Sequence, residues 1–183
     1  MVTSTALCDF GWKAADFDLA GVDGKRYRLA DVRGAKGTVV MFICNHCPYV
    51  KAAIGRIVAD VAALAKLGVG AIAIMPNDTS AYPEDSFANM KAFAARNRFG
   101  FPYVIDESQA TARAYGAVAT PEFFGFNATL ELQYRGRLDV GKTSAPPPDA
   151  KRELYDAMCQ VAATGVGPRE QIASMGCSIK WRD

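Results

Sequence analysis

Thr38-Val39-Val40-Met41-Phe42-Ile43 is a continuous β-branched and apolar run. Such a run marks a strand buried on both faces, which belongs at the centre of a sheet. Downstream, Val50, Ile54, Ile57, Val61 and Leu64 recur at spacings of three and four, one face of a helix that Gly68 ends. Residues 69–75 read as another buried strand. Pro83-Glu84-Asp85 supplies a proline and an acidic first turn for a helix running to about Phe99. A short strand at 103–105 and a helix over 108–115, closed by Gly116, continue the alternation. Two strands, 122–126 and 130–135, are joined by the turn Asn127-Ala128-Thr129. Leu154, Met158 and Val161 then mark a last amphipathic helix before Gly165, with Pro146-Pro147-Pro148 as its boundary and start. Near the N-terminus, residues 16–19 and 26–29 form a hairpin around Asp23-Gly24, which supplies the positive φ of a tight turn. The alternation argues an α/β sheet covered on both faces, with an N-terminal hairpin and a C-terminal tail.

With 183 residues and no linker or repeat, the chain reads as a single domain, 1–183. Half of the residues are hydrophobic and 22% are charged, which excludes general disorder. Lys and Arg number 21 against 19 Asp and Glu, a formal net charge of +2 with no basic run, so nucleic acid is not an expected partner. The longest apolar stretch, 39–44, falls far short of the roughly 18 residues that cross a bilayer, and no membrane is expected. Residues 1–10 lack the basic start and apolar core of a signal peptide, so the expected location is the cytoplasm. Five cysteines cannot all pair within one chain, and a reducing compartment favours thiols kept for chemistry.

The chemistry gathers at Cys44-Asn45-His46-Cys47, between the central strand and the long helix. Unpaired N–H groups at a helix N-terminus favour a thiolate over a thiol. Two intervening residues let the sulfurs reach disulfide distance, so one attacks a substrate disulfide and the other releases it. His46, the single histidine, adds a cationic partner for the thiolate, and Pro48 sits in the first helical turn at no cost in hydrogen bonds. The competing readings are two inert buried cysteines, or a zinc site. Zinc takes three or four ligands, and beyond this pair only the scattered Cys8, Cys159 and Cys177 remain, so no metal or other cofactor is expected. Thr120-Pro121 opens the 122–126 strand; from spacing alone either isomer is open, trans being commoner.

Asp16-Phe17, Asp23-Gly24-Lys25, the Val-Val-Met-Phe strand, Cys-Asn-His-Cys-Pro-Tyr-Val, Tyr-Pro-Glu-Asp-Ser, Thr-Pro-Glu-Phe-Phe, Tyr-Arg-Gly-Arg and the tail from Gly176 to Trp181 occur in that order. This order resembles the thioredoxin-like, peroxiredoxin-like AhpC/TSA redoxin family over roughly residues 10–182. The resemblance implies a thioredoxin-like fold with a central mixed sheet. It also implies Cys44 as attacking thiol, Cys47 as resolving thiol and Pro121 as a cis-proline facing them. Some positions depart from the parent patterns. In the peroxiredoxin register Cys47 takes the peroxide-attacking place, with Cys44 where a Thr is expected and Val40 where a Pro is expected. Thioredoxins carry a buried acid where this chain has Thr38, and an aromatic where it has Ile43, so proton handling must differ.

Cys177 is a third thiol that can return to the site from the tail and resolve it, and Cys159 is a small core residue. Thr120, Arg135 and Arg137 are candidates for binding substrate or stabilising the thiolate. Glu84, Asp85, Asp106 and Glu107 read as helix-start residues. The leading expectation is a thiol–disulfide oxidoreductase acting on a protein disulfide or a small-molecule thiol and recycled by an external thiol reducing system. The alternatives are a thiol-dependent peroxidase with Cys47 or Cys44 as the peroxidatic thiol, and a non-catalytic module binding metal or a partner. Either a monomer or a homodimer is compatible with the sequence.

Overall fold

Every side chain of the strand Gly37–Phe42 is buried, because the two faces of the strand serve two different cores. Val39 and Met41 point to one face, Val40 and Phe42 to the other. The computed structural model describes residues 1–182. In chain order the strands are β1 (Val2–Ser4), β2 (Asp18–Gly21), β3 (Arg26–Arg28), β4 (Gly37–Phe42), β5 (Val69–Met75), β6 (Tyr103–Ile105), β7 (Ala119–Thr120), β8 (Glu122–Asn127), β9 (Leu132–Gly136) and β10 (Met175–Ser178). The helices are α1 (Leu29–Val32), α2 (Pro48–Ala65), α3 (Phe87–Arg96), α4 (Ala110–Ala114) and α5 (Glu153–Thr164), with a single 3₁₀ turn at Pro83–Asp85.

Seven strands make a mixed sheet in the order β3-β2-β6-β5-β4-β8-β9. Strands β4, β5 and β6 run parallel, and β8 pairs antiparallel with β4. One face carries α2, α3 and α5, packed through Val50, Ile57, Leu64, Met90, Phe93, Leu154 and Met158. The other carries α1 and α4 with Tyr115, over Phe42, Ile72, Ile74, Val104, Phe124 and Phe126. Burial of these apolar side chains on both faces is the main favourable contribution to folding. The expected α/β architecture and mixed central sheet are therefore present.

The structure departs from the sequence expectation in three places. The helix expected from Pro83 to Phe99 is broken: Ser86 adopts an extended conformation (φ −52°, ψ 153°) between the 3₁₀ turn and α3. Pro146-Pro147-Pro148 does not start the last helix, which begins at Glu153 after Arg152. Three consecutive prolines offer no N–H to a helix, and the segment stays a loop before it. Lastly, the C-terminal segment is not a loose tail. A second sheet, in the order β1-β10-β7, holds residues 175–178 between the chain's start and the segment preceding Pro121. Gly176 makes this approach feasible, since a Cβ there would stand 2.1 Å from the Thr120 carbonyl oxygen.

Candidate active site

Parallel strand β4 delivers Ile43 and Cys44 to its C-terminal end, and α2 begins immediately after Cys47, with Pro48 in its first turn. Both sulfurs are fully buried there. They converge on one residue: Cys44 Sγ lies 3.3 Å from Thr120 Oγ1, and Cys47 Sγ lies 3.1 Å from the Thr120 carbonyl oxygen. The Thr120-Pro121 bond is cis, as the resemblance implied. Four expected site residues, Cys44, Cys47, Thr120 and Pro121, are thus brought together from two distant segments. Beside Pro121 lies a cavity of about 180 Å³ whose lining includes Tyr49, Phe123, Leu138 and Met175.

Electrostatics separates the two thiols. Cys47 is pulled down to about 5, first by the hydrogen bond from Cys44 and then by the Cys177 thiol and the backbone N–H groups of Val50 and Cys177, against the opposing effect of burial. Cys44 is pushed well above the usual thiol range, first because it shares its proton with Cys47, then by burial and by the nearby Asp85 carboxylate. The contact of Cys47 with the Thr120 carbonyl opposes this division, because a carbonyl oxygen favours the protonated sulfur. The donors outnumber it, and the N-terminal end of an 18-residue helix adds a favourable field. Thiolate character therefore falls on Cys47, whereas the resemblance put the attacking role on Cys44. The expected pH dependence follows: thiolate absorbance in the ultraviolet should develop with a midpoint near pH 5 and be lost in Cys47→Ser. A single midpoint at an ordinary thiol value would contradict the assignment.

His46 is placed differently from the expectation. Its Nδ1 lies 2.7 Å from Asp85 Oδ2, and its ring stacks on Tyr82 at 5.7 Å between centroids. Because that oxygen also accepts from Asn77 Nδ2 at 2.8 Å, Nδ1 is the donor and the imidazole is committed to Asp85 rather than to a sulfur. Asp85 itself is the residue that sequence reading missed. Taken as a helix-start acid, it is fully buried and accepts the Asn45 backbone N–H at 2.8 Å, which clamps the loop between the cysteines. Asn45 is held further by its own amide to the Glu84 carbonyl and by Tyr103 Oη. The Tyr-Pro-Glu-Asp segment was the one available signal, but it lies some 40 residues from the cysteines and looks like any proline-led helix start.

Arg135 and Arg137 do not reach the sulfurs. Arg135 Nη2 pairs with the buried Glu122 at 2.6 Å, and its guanidinium lies over the Phe124 ring. Arg137 makes a fork to Glu153, with Nη2 2.7 Å from Oε1. Arg135 lies in β9 and Arg137 just past its end, and each is drawn off by a carboxylate on a neighbouring element. Cys177 is brought in: it sits opposite Thr120 in the β10–β7 pair, beside Cys47. Cys159 packs as a partly buried residue of the α5 side, and Cys8 lies against the opposite core. Among the described residues, Cys44, His46 and Asp85 are the one group of three that carries potential ligand atoms within 4.8 Å of one another. Both Asp85 oxygens already accept hydrogen bonds, which a metal would have to displace.

Comparison with known proteins agrees with this architecture. The AhpC/TSA family matches residues 10–139. Over its full length the chain is similar to an uncharacterized conserved protein from Geobacillus kaustophilus, with 38% identity, 97% of that chain covered and a TM-score of 0.94. It is also similar over its full length to a hypothetical protein from Sinorhizobium meliloti, with 31% identity, 99% of that chain covered and a TM-score of 0.90. A thiol:disulfide interchange protein of the thioredoxin family from Chlorobium tepidum shares the fold at 19% identity and a TM-score of 0.63, with 82% of this chain and 95% of that one covered. No curated protein matches the sequence. With a redoxin match over most of its length and a thioredoxin-like fold around a buried pair of thiols, the chain belongs to the AhpC/TSA family.

Proposed function

We propose that the protein is a thiol–disulfide oxidoreductase that cycles Cys44 and Cys47 between dithiol and disulfide. The observation that carries this reading is the convergence of both sulfurs on Thr120 with their proton affinities driven apart. The Cys47 thiolate attacks one sulfur of a substrate disulfide, whose S–S bond breaks and releases the first thiolate. Cys44 then attacks Cys47 Sγ, its proton passing to the second departing thiolate. The substrate gains two electrons, and an intramolecular Cys44–Cys47 disulfide remains for an external thiol system to reduce. The cavity beside Pro121, lined by Tyr49, Phe123 and Met175, is where a disulfide-bearing chain would lie against the site. Mixing reduced protein with a small aromatic disulfide tests this reading. Two thiols should be lost per chain, with the product mapped to Cys44–Cys47.

Peroxide reduction is the second reading, favoured by the low proton affinity of Cys47 at a helix N-terminus. In that cycle Cys47 becomes a sulfenic acid and Cys44 condenses with it, expelling water. The commitment of Arg135 to the buried Glu122 counts against it, and Arg137, which lines the cavity beside Pro121, is paired with Glu153.

A further inference from the structure

We propose that Cys177 is a third exchanging thiol, which carries the disulfide from the buried Cys44–Cys47 pair to the surface, where the reductant meets it. The proposal rests on the dithiol reading above and extends it. Cys44 and Cys47 are both fully buried, so an external thiolate reaches their disulfide only by the hindered reverse of the substrate step. Cys177 is only partly buried. Strand β10 packs against α2, and the backbone pairing of Cys177 with Thr120 sets it beside the residue on which the other two sulfurs converge. Its thiol and its backbone N–H both help to lower the proton affinity of Cys47.

The exchange balances without further reagents. In the oxidised protein the Cys177 thiolate attacks Cys47 Sγ; the Cys44–Cys47 bond breaks, and Cys44 leaves as a thiolate that takes up the proton Cys177 has lost. The Cys47–Cys177 disulfide presents its outer sulfur to solvent. An external thiolate attacks Cys177, releasing Cys47 as the stabilised thiolate, and a second external thiol completes the two-electron reduction. The resting cluster favours this order. Reduced Cys177 is pushed up to about 11 by burial and by the neighbouring Cys47, and so stays protonated. Once Cys47 is in a disulfide its charge is gone, while Lys180 continues to favour a Cys177 thiolate. Oxidation of Cys47 thereby removes one of the two effects that keep Cys177 protonated, burial being the other.

Wild type and Cys177→Ser are oxidised with a stoichiometric aromatic disulfide, and their re-reduction by glutathione is followed by quenched thiol titration. Both should form Cys44–Cys47, and the variant should be re-reduced about tenfold more slowly, because its buried disulfide is left with the hindered direct route. In Cys44→Ser the same oxidant should yield a Cys47–Cys177 cross-link by peptide mapping. Equal re-reduction rates, together with a Cys44→Ser protein that stays a mixed disulfide with the probe, would overturn the relay while leaving the dithiol cycle intact. Failure of wild type to form Cys44–Cys47 would overturn both.

Discussion

Cys47→Ser should reduce disulfide exchange to the uncatalysed background, whereas Cys44→Ser should still complete the first half of the reaction. The asymmetry follows from the division of proton affinity. Cys47 is the sulfur supported by the N-terminus of α2, by the Val50 and Cys177 N–H groups and by two neighbouring thiols. Cys44 keeps its proton beside the Asp85 carboxylate. Without Cys44 the mixed disulfide on Cys47 is left to Cys177, so the first leaving group should appear in a burst, the second should follow as the Cys47–Cys177 cross-link forms, and turnover should fall. The burst is read from the released aromatic thiolate, and the adduct by mass spectrometry of the intact chain. An adduct on Cys44 in the Cys47→Ser protein, formed at the wild-type rate, would reverse the assignment.

Asp85→Ala should destabilise the fold by about 3–5 kcal/mol, the range for removing one member of a buried, fully hydrogen-bonded charged group. Asp85 is fully buried and accepts from the Asn45 N–H, the His46 Nδ1–H and the Asn77 side-chain amide. Asn77 in turn accepts the Lys180 N–H, so the damage should reach the C-terminal segment that holds Cys177 in place. The midpoint of urea denaturation measures the loss, and a change below about 1 kcal/mol would show that these bonds are replaced by water. Asp85→Asn tests the charge, at the cost of one of the two acceptor oxygens. It preserves the side chain's shape but removes a negative charge that holds the Cys44 proton affinity high. Release of the mixed disulfide should therefore reach its plateau at lower pH in the variant. An unchanged profile would confine Asp85 to a structural role.

The parts of this account that could be read from the sequence are those whose signal is local. The β4 run is apolar throughout because both of its faces are covered, and α2 announces itself by the spacing of Val50, Ile54, Ile57, Val61 and Leu64. The Cys44–Cys47 pair is legible because a strand-to-helix junction needs only the adjoining pattern. What could not be read is made by pairing between distant segments. Strands β1, β7 and β10 have three, two and four residues, too short for any periodicity, and exist because they hydrogen-bond to one another. Asp85 resembles a helix-start acid until Ser86 turns the chain and aims the carboxylate at Asn45 and His46. Arg135 and Arg137 followed a plausible rule about cations near thiolates, but the rule takes no account of Glu122 and Glu153, which lie close enough to claim them.

The central claim is that the buried pair exchanges with disulfides rather than reducing peroxide. Fully reduced protein mixed rapidly with an aromatic disulfide and, separately, with hydrogen peroxide at the same concentration tests it most directly. The disulfide should bring fast loss of two thiols per chain, abolished in Cys47→Ser, and the peroxide reaction should be no faster than that of an ordinary free thiolate. Rapid peroxide consumption with a sulfenic acid trapped on Cys47, and sluggish reaction with the disulfide, would contradict that claim.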